Sequence, residues 1–216
     1  MCASSTGELF NFISGLKGKI RQGLPGVEAQ LLMSPSIRPN SNGSGSLNGQ
    51  SPQSAVLILF FPDDDNEVRL VLIKRQTYEG PHSGQVSFPG GKREEVDRSL
   101  EQTALREAFE EVGVNPEKVE LIGRLTPLYI PVSNMMVQPV VGFTAETPDF
   151  HPNLQEVDHI ITVPVGQLFD AKNKSVRVIS VQNTPITAPY YNVNGEFVWG
   201  ATAMILAELE VVLKRK

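Results

Sequence analysis

The stretch "FPGGKREEVDRSLEQTALREAFEEVGV", Phe88–Val114, joins a Pro-Gly-Gly turn to a segment in which Glu107, Glu110 and Glu111 follow closely on Arg106. At about 100° per residue, the segment Leu100–Val112 gathers the three glutamates within an arc of about 100°, with Thr103 in the same sector. Leu105, Ala108, Phe109 and Val112 fall on another side and are expected to face a sheet. Like charges three and four residues apart on a helix repel one another. Hard divalent cations offset that repulsion, because Mg²⁺ and Mn²⁺ prefer carboxylate oxygens and keep several waters free for a phosphate. Ahead of the helix, Pro89-Gly90-Gly91 permits a sharp bend and close approach by a ligand, and a backbone carbonyl there can complete an all-oxygen site. Arg106 has the fork geometry to orient the carboxylates around it.

The rest of the chain builds around this segment. Ahead of it, "SAVLILFF" reads as a buried strand, "DDDN" as a turn and "EVRLVLIKR" as the hairpin partner. After it come "KVELIGRLTPLYI", "MMVQPVVGFTA", "EVDHIITVPV", "SVRVISV" and "PYYNVNGEFVWG" as further strands, and Ala201–Leu213 as a closing helix. The internal helix is expected over Asp97–Val112. Strands, one central helix, more strands and a terminal helix predict an α+β fold, a mixed sheet covered by helices. Near the start, Leu9, Phe10, Ile13, Leu16 and Ile20 recur at helical spacing. From Met33 to Gln53, Pro, Ser, Asn and Gly dominate, which reads as a flexible loop within one domain.

Composition narrows the function classes. The chain has 216 residues, 40% hydrophobic and 20% charged, with a net charge of −5. That is long enough for a proper core without staples. No basic footprint points to nucleic acid. Cys2 is the only cysteine, so neither a disulfide nor a thiolate metal site is expected. No stretch reaches membrane-spanning length and no signal-peptide pattern is present. The expectation is a cytoplasmic protein with no nucleic-acid or membrane partner, and a homodimer is left open.

The segment closely resembles the Nudix box, whose pattern is Gly, five residues, Glu, seven residues, then Arg-Glu-apolar-x-Glu-Glu-x-Gly-apolar. "REAFEEVGV" matches the second half, with Ala108 a small choice for the apolar position. In the first half Gly91 lies one residue too far from Arg106, and Asp97 replaces the glutamate. Both departures, and the preceding "HSGQVSFPGG", resemble the coenzyme A diphosphatase branch. The pieces "LTPLYIPVSNMMVQPVVGF" and "WGATA" have a similar look, so the likeness spans most of residues 54–210. One difference stands out: the branch's upstream motif has an arginine where this chain has Gly80. Arg75 is in its expected place.

The resemblance implies a Nudix-type α/β/α sandwich over 54–216, with residues 1–53 forming a helix and loop packed on the same domain. It implies metal-dependent hydrolysis of a nucleoside diphosphate linked to another group, most closely CoA, cut to 3′,5′-ADP and 4′-phosphopantetheine. Glu107 and Glu111 map onto the main ligands of Mg²⁺ or Mn²⁺, with Glu110 as a further ligand or base and the Gly91 carbonyl as another donor. The general base varies across the family, and Glu156 in "NLQEVDH" is a candidate. Arg75, His82 and Phe88 are candidate substrate contacts. Two alternatives stay open: a diphosphatase of ADP-ribose or another nucleotide sugar, and a non-catalytic ligand sensor of the same fold.

A solvated amphipathic helix closed by Gly113 accounts for "REAFEE" alone. It does not account for "FPGG" at the matching distance, since seven fixed positions at roughly 7% usage each coincide by chance on the order of 10⁻⁸ per start. The remaining candidates are weaker. His151 and His159 lack paired zinc spacing, and Ser83 and Ser87 lack a His–Asp partner. Trwo aromatic candidates for base stacking, Phe88 and Trp199, are as well explained by packing. Arg38 has the reach to meet a substrate but no pattern to place it.

Overall fold

Gln53–Pro62 alternates between two apolar environments, and that alternation organises the molecule. The computed structural model describes residues 5–36, 51–80, 82–181 and 183–215. In β1 (Gln53–Pro62), Ala55, Leu57, Leu59 and Phe61 enter one core cluster, while Ile58 and Phe60 enter another on the opposite face. A strand buried on both faces loses the polar/apolar alternation of a half-exposed one. Its neighbour on one side is parallel, pairing Gln53 with Met136 through Phe60 with Phe143.

Along its other side, β1 has two partners. Its last residues pair with β2 (Val68–Arg75), Phe60 opposite Leu70, and its first residues with β4 (Gly90–Lys92), Val56 opposite Gly90. The two long strands diverge, and β3 (Val86–Ser87), paired with β2, fills the gap beside β4. The Pro-Gly-Gly turn therefore lies in the middle of the sheet. Beyond β4 come β5 (Glu120–Arg124), β6 (Leu128–Ile130) and β7 (Met135–Phe143), then β8 (Val157–Pro164), which pairs with β2. Together β1–β8 make one mixed eight-stranded sheet.

Helices cover both faces. The helix α3 (Leu100–Val112) packs Ala104, Ala108 and Val112 against Leu57, Leu59 and Val71. On the opposite face, α5 (Gly200–Lys214) buries Ala203 to Leu209 almost all round. Beside it, α1 (Ser5–Arg21) contributes Leu9, Ile13 and Leu16 to the same cluster. A short α2 (Val27–Leu31), not expected from the sequence, follows. Its Gln30 donates to Glu208 and to the Thr126 carbonyl, both at 2.9 Å, tying the segment to α5. The four-residue α4 (Val165–Leu168) follows β8. The result is an α/β/α sandwich, the α+β fold expected.

Three readings need correction. The internal helix starts at Leu100, not Asp97, because Ser99 caps it and accepts from the Gln102 amide at 3.3 Å. Phe109 does not face the sheet and is 56% exposed, since Thr103 and Glu111 take the inward positions with Ala104, Ala108 and Val112. The last strands leave the main sheet: β9 (Lys174–Val181), β10 (Thr184–Val193) and β11 (Glu196–Trp199) form a separate three-stranded antiparallel one. Its β10–β11 turn has Asn194 at φ 52 and Gly195 at φ 90, the left-handed pair that closes a tight hairpin locally. Most of the expected loop Met33–Gln53, with Arg38, lies outside the described residues.

Candidate active site

The site is assembled where α3 passes over the β3–β4 strip. Gly113, at φ 75, ends the helix in the left-handed conformation. The chain that leaves β7 then returns to this end. The His151 amide donates to the Val112 carbonyl at 2.9 Å, and the Asn153 amide to the Glu111 carbonyl at 2.9 Å. That return brings Glu156 near the α3 carboxylates, close enough for its charge to act on Glu107 and Glu111.

Glycine permits close approach at two points of the strip. At Gly90, φ is 154, and a Cβ would lie 2.3 Å from the Ala55 carbonyl oxygen. At Gly91 a Cβ would lie 2.4 Å from the Glu107 carboxylate. The strip thus lies directly against the helix's acidic edge; Gly90 has no room for a side chain, and one at Gly91 would push the Glu107 carboxylate away.

The Glu111 side chain is 1% exposed. Its Oε2 accepts from the Gly90 amide at 2.8 Å and its Oε1 from Arg75 Nη1 at 3.3 Å. Burial raises its carboxyl to about 7; the charges of Glu107 and Glu156 add to this, and Gly90 and Arg75 oppose it. Burial also raises Glu107, against the opposing charge of Arg106 at 3.1 Å. Glu110 is half-exposed and accepts from Arg106 Nη1 at 3.0 Å.

Arg106 is the hub of the outer half. Asp97, 5% exposed, takes its Nε at 3.1 Å on one oxygen and its Nη2 at 3.0 Å on the other. The same Nη2 donates to the Lys92 carbonyl at 2.9 Å. Asp97 also accepts from the Glu94 amide at 2.9 Å and from Thr103 Oγ1 at 3.0 Å. The hydrogen bonds from Arg106 hold the Asp97 carboxyl down at about 2, outweighing burial. Asp97, which occupies the acidic position of the box, is therefore a clamp on Arg106. Sequence reasoning also missed the Gly90 amide as a partner of Glu111; the Pro-Gly-Gly turn was its only signal.

A cavity of about 420 Å³ opens on the other side of the strip, between the sheet and α5. Arg75, His82 and Lys92 stand on its wall, and Val56, Met135 and Ile205 form part of its apolar lining. His82 adopts φ 66 and lies within hydrogen-bonding distance of Gln85 Oε1, at 3.1 Å. Phe88 borders the cavity but belongs to the core at 1% exposed, so its ring is a packed wall. The Ser87 hydroxyl is buried without a hydrogen-bond partner among the described residues. His151 and His159 are exposed beside Asp149 and Asp158, and Trp199 stacks on Phe197 in the small sheet.

Among the described residues, no three His, Cys, Asp or Glu side chains converge as a ready metal cluster. Glu111 is turned to Gly90 and Arg75, and Glu107 and Glu110 to Arg106. The donor chemistry nevertheless fits a hard divalent ion: three carboxylates on one helix, one of them buried with a single cationic partner, beside a glycine backbone. Such an ion takes oxygen ligands. No helix among the described residues is long and apolar enough to cross a membrane.

The chain is similar to several known proteins. The family model for the NUDIX domain matches residues 51–180. The Nudix hydrolase NudL of Pectobacterium atrosepticum is 37% identical over 190 residues, covering 83% of this chain and 88% of that protein. Nudix hydrolase 15, mitochondrial, of Arabidopsis thaliana is 34% identical over 160 residues, covering 71% of this chain and 56% of that longer protein. A MutT/nudix family protein from Enterococcus faecalis aligns at TM-score 0.48 and 18% identity, covering 76% of this chain and 60% of that one. With its box carried by α3 and the Gly90–Gly91 strip, the chain belongs to the Nudix hydrolase family, which acts on nucleoside diphosphate-linked substrates and generally uses a divalent metal ion such as Mg²⁺ or Mn²⁺.

Proposed function

We propose that this protein hydrolyses the pyrophosphate bond of CoA or a CoA derivative, yielding 3′,5′-ADP and 4′-phosphopantetheine. The observation that carries the reading is a buried carboxylate, Glu111, held by Gly90 and Arg75, both of which line the 420 Å³ cavity. Glu107, Glu111, Glu110 and the Gly91 carbonyl would hold the divalent ion. When bound, that ion supplies positive charge against the diphosphate and lowers the pKa of a water.

The chain's own residues have separate tasks. Asp97 holds the Arg106 guanidinium, which in turn fixes Glu107 and Glu110 against the strip. The water's oxygen bonds to one phosphorus while the bridging P–O bond breaks. A carboxylate near Glu111 takes the water's proton, with Glu110 and Glu156 the two in reach of the cluster. Arg75 and His82, on the cavity wall, contact the substrate's phosphates. The apolar lining around Met135 and Ile205 suits an uncharged flexible arm better than a second sugar.

Gly80 favours a second reading, a diphosphatase of ADP-ribose or another nucleotide sugar, because the branch's arginine is missing from the cavity wall at that position. A ligand sensor is disfavoured by the intact set of carboxylates. Chromatography of products from CoA, ADP-ribose and NADH, with Mg²⁺ and then Mn²⁺, separates the three. Release of 3′,5′-ADP from CoA alone supports the first, cleavage of ADP-ribose instead supports the second, and inertness across the panel ends both.

A further inference from the structure

Arg75 has two calls on its positive charge. Its Nη1 donates to Glu111 at 3.3 Å, and its side chain, 25% exposed, also lines the cavity. Glu111 at 1% exposed is nearly cut off from water, so Arg75 is the one cation neutralising it among the described residues. An unpaired buried carboxylate is costly, which favours the closed pair whenever no other cation is present. Each oxygen of Glu111 takes one donor, Arg75 on one and the Gly90 amide on the other, and keeps a further lone-pair site. A second cation at this carboxylate would meet the like charge of Arg75 close by, and that repulsion favours Arg75 moving into the open space of the cavity.

We infer that Arg75 is a shared counter-ion: it neutralises Glu111 in the metal-free protein, and turns to a phosphate in the cavity once another cation neutralises that carboxylate. This rests on the reading of Glu111 as a metal ligand. Its consequence is coupling: metal and phosphate ligand each bind better when the other is present, because each removes a competitor for Arg75 or Glu111. Arg75 is in this sense a positioning residue for the acidic cluster as well as a substrate contact.

Binding without turnover tests it. ADP is titrated calorimetrically with chelator present, at mildly alkaline pH, into wild type, Glu111→Gln, Arg75→Ala and the double variant. Circular dichroism confirms that each is folded. Glu111→Gln keeps the shape and frees Arg75, so ADP is expected to bind on the order of tenfold tighter. In the Arg75→Ala background the same substitution gains much less. Equal gains in both backgrounds mean simple charge repulsion and overturn the inference, as does no gain in either. A separate Mn²⁺ titration, read by electron paramagnetic resonance, compares wild type with Glu111→Gln. Loss of Mn²⁺ binding in the variant supports Glu111 as a ligand. Identical binding removes the metal reading of Glu111, and the trigger of the exchange with it, whatever the ADP cycle shows.

Discussion

Replacing Asp97 with Asn tests the Arg106 clamp directly. The change keeps the side chain's size and removes the charge that takes two N–H groups of Arg106 at 3.1 and 3.0 Å. The carboxyl falls from an ordinary 3.8 to about 2 in the folded protein. A depressed carboxylate stabilises the fold above its unfolded pKa and loses that stabilisation as pH falls through the folded value. At about 1.4 kcal/mol per unit, the shift corresponds to about 2 kcal/mol at neutral pH. By pH about 3 linkage leaves roughly half of it. Urea unfolding of wild type and Asp97→Asn across this range reads the difference. A gap of about 2 kcal/mol that is flat above pH about 5 and halves by pH about 3 supports the clamp. A gap that does not change with pH assigns the loss to packing and refutes the electrostatic account. Activity measured alongside is expected to fall, since Glu107 and Glu110 lose a fixed Arg106.

Three further outcomes follow from the same geometry. Metal-free Glu111, raised to about 7 from 4.5, makes the folded state bind the extra proton, so stability is full below pH 4.5 and declines as pH rises through 7. Glu111→Gln is expected to flatten that decline in a pH series of melts and to abolish hydrolysis; a variant that keeps either the slope or the activity contradicts its role. Gly90→Ala drives a Cβ to 2.3 Å from the Ala55 carbonyl oxygen, a backbone clash costing about 3 kcal/mol. A thermal melt should then drop by about 6 °C or more, and an unchanged Tm would show that the strip yields. Ser87→Ala removes a buried hydroxyl without a partner among the described residues, so stability is expected to hold or rise. A loss above about 1 kcal/mol would mean the hydroxyl has a partner such as a bound water.

What could be read in advance depended on how local the cause was. The long strands of the main sheet announced themselves through apolar runs bounded by turn residues, and α3 through the spacing of its carboxylates, whereas the short β3 and β4 were not read as strands because Pro-Gly-Gly has the composition of a turn. Phe109 was misread because a helical wheel gives relative angles but not which arc meets the sheet. Ala104 and Thr103 turn inward because small side chains let α3 lie close on β1, and the bulkier Phe109 is left outside. The start of α3 was placed too early: the Asp97 carboxylate is engaged by Arg106, Thr103 and the Glu94 amide ahead of the helix, and Ser99 is the cap.

The sequence by itself determined the family, the acidic edge of α3 and the glycines beside it, because these arise within one short segment, and the α+β class, because apolar periodicity along each element is local. Only the tertiary structure decided which partner each charge has. Arg75 and Glu111 are 36 residues apart in sequence, and they meet because β2 diverges from β1 and leaves room for the Gly90 strip. Glu156 joins them because the chain after β7 returns to the end of α3. The physical reason is that side-chain spacing fixes direction along one element, whereas contact between elements is set by packing across the sheet, which no local pattern encodes.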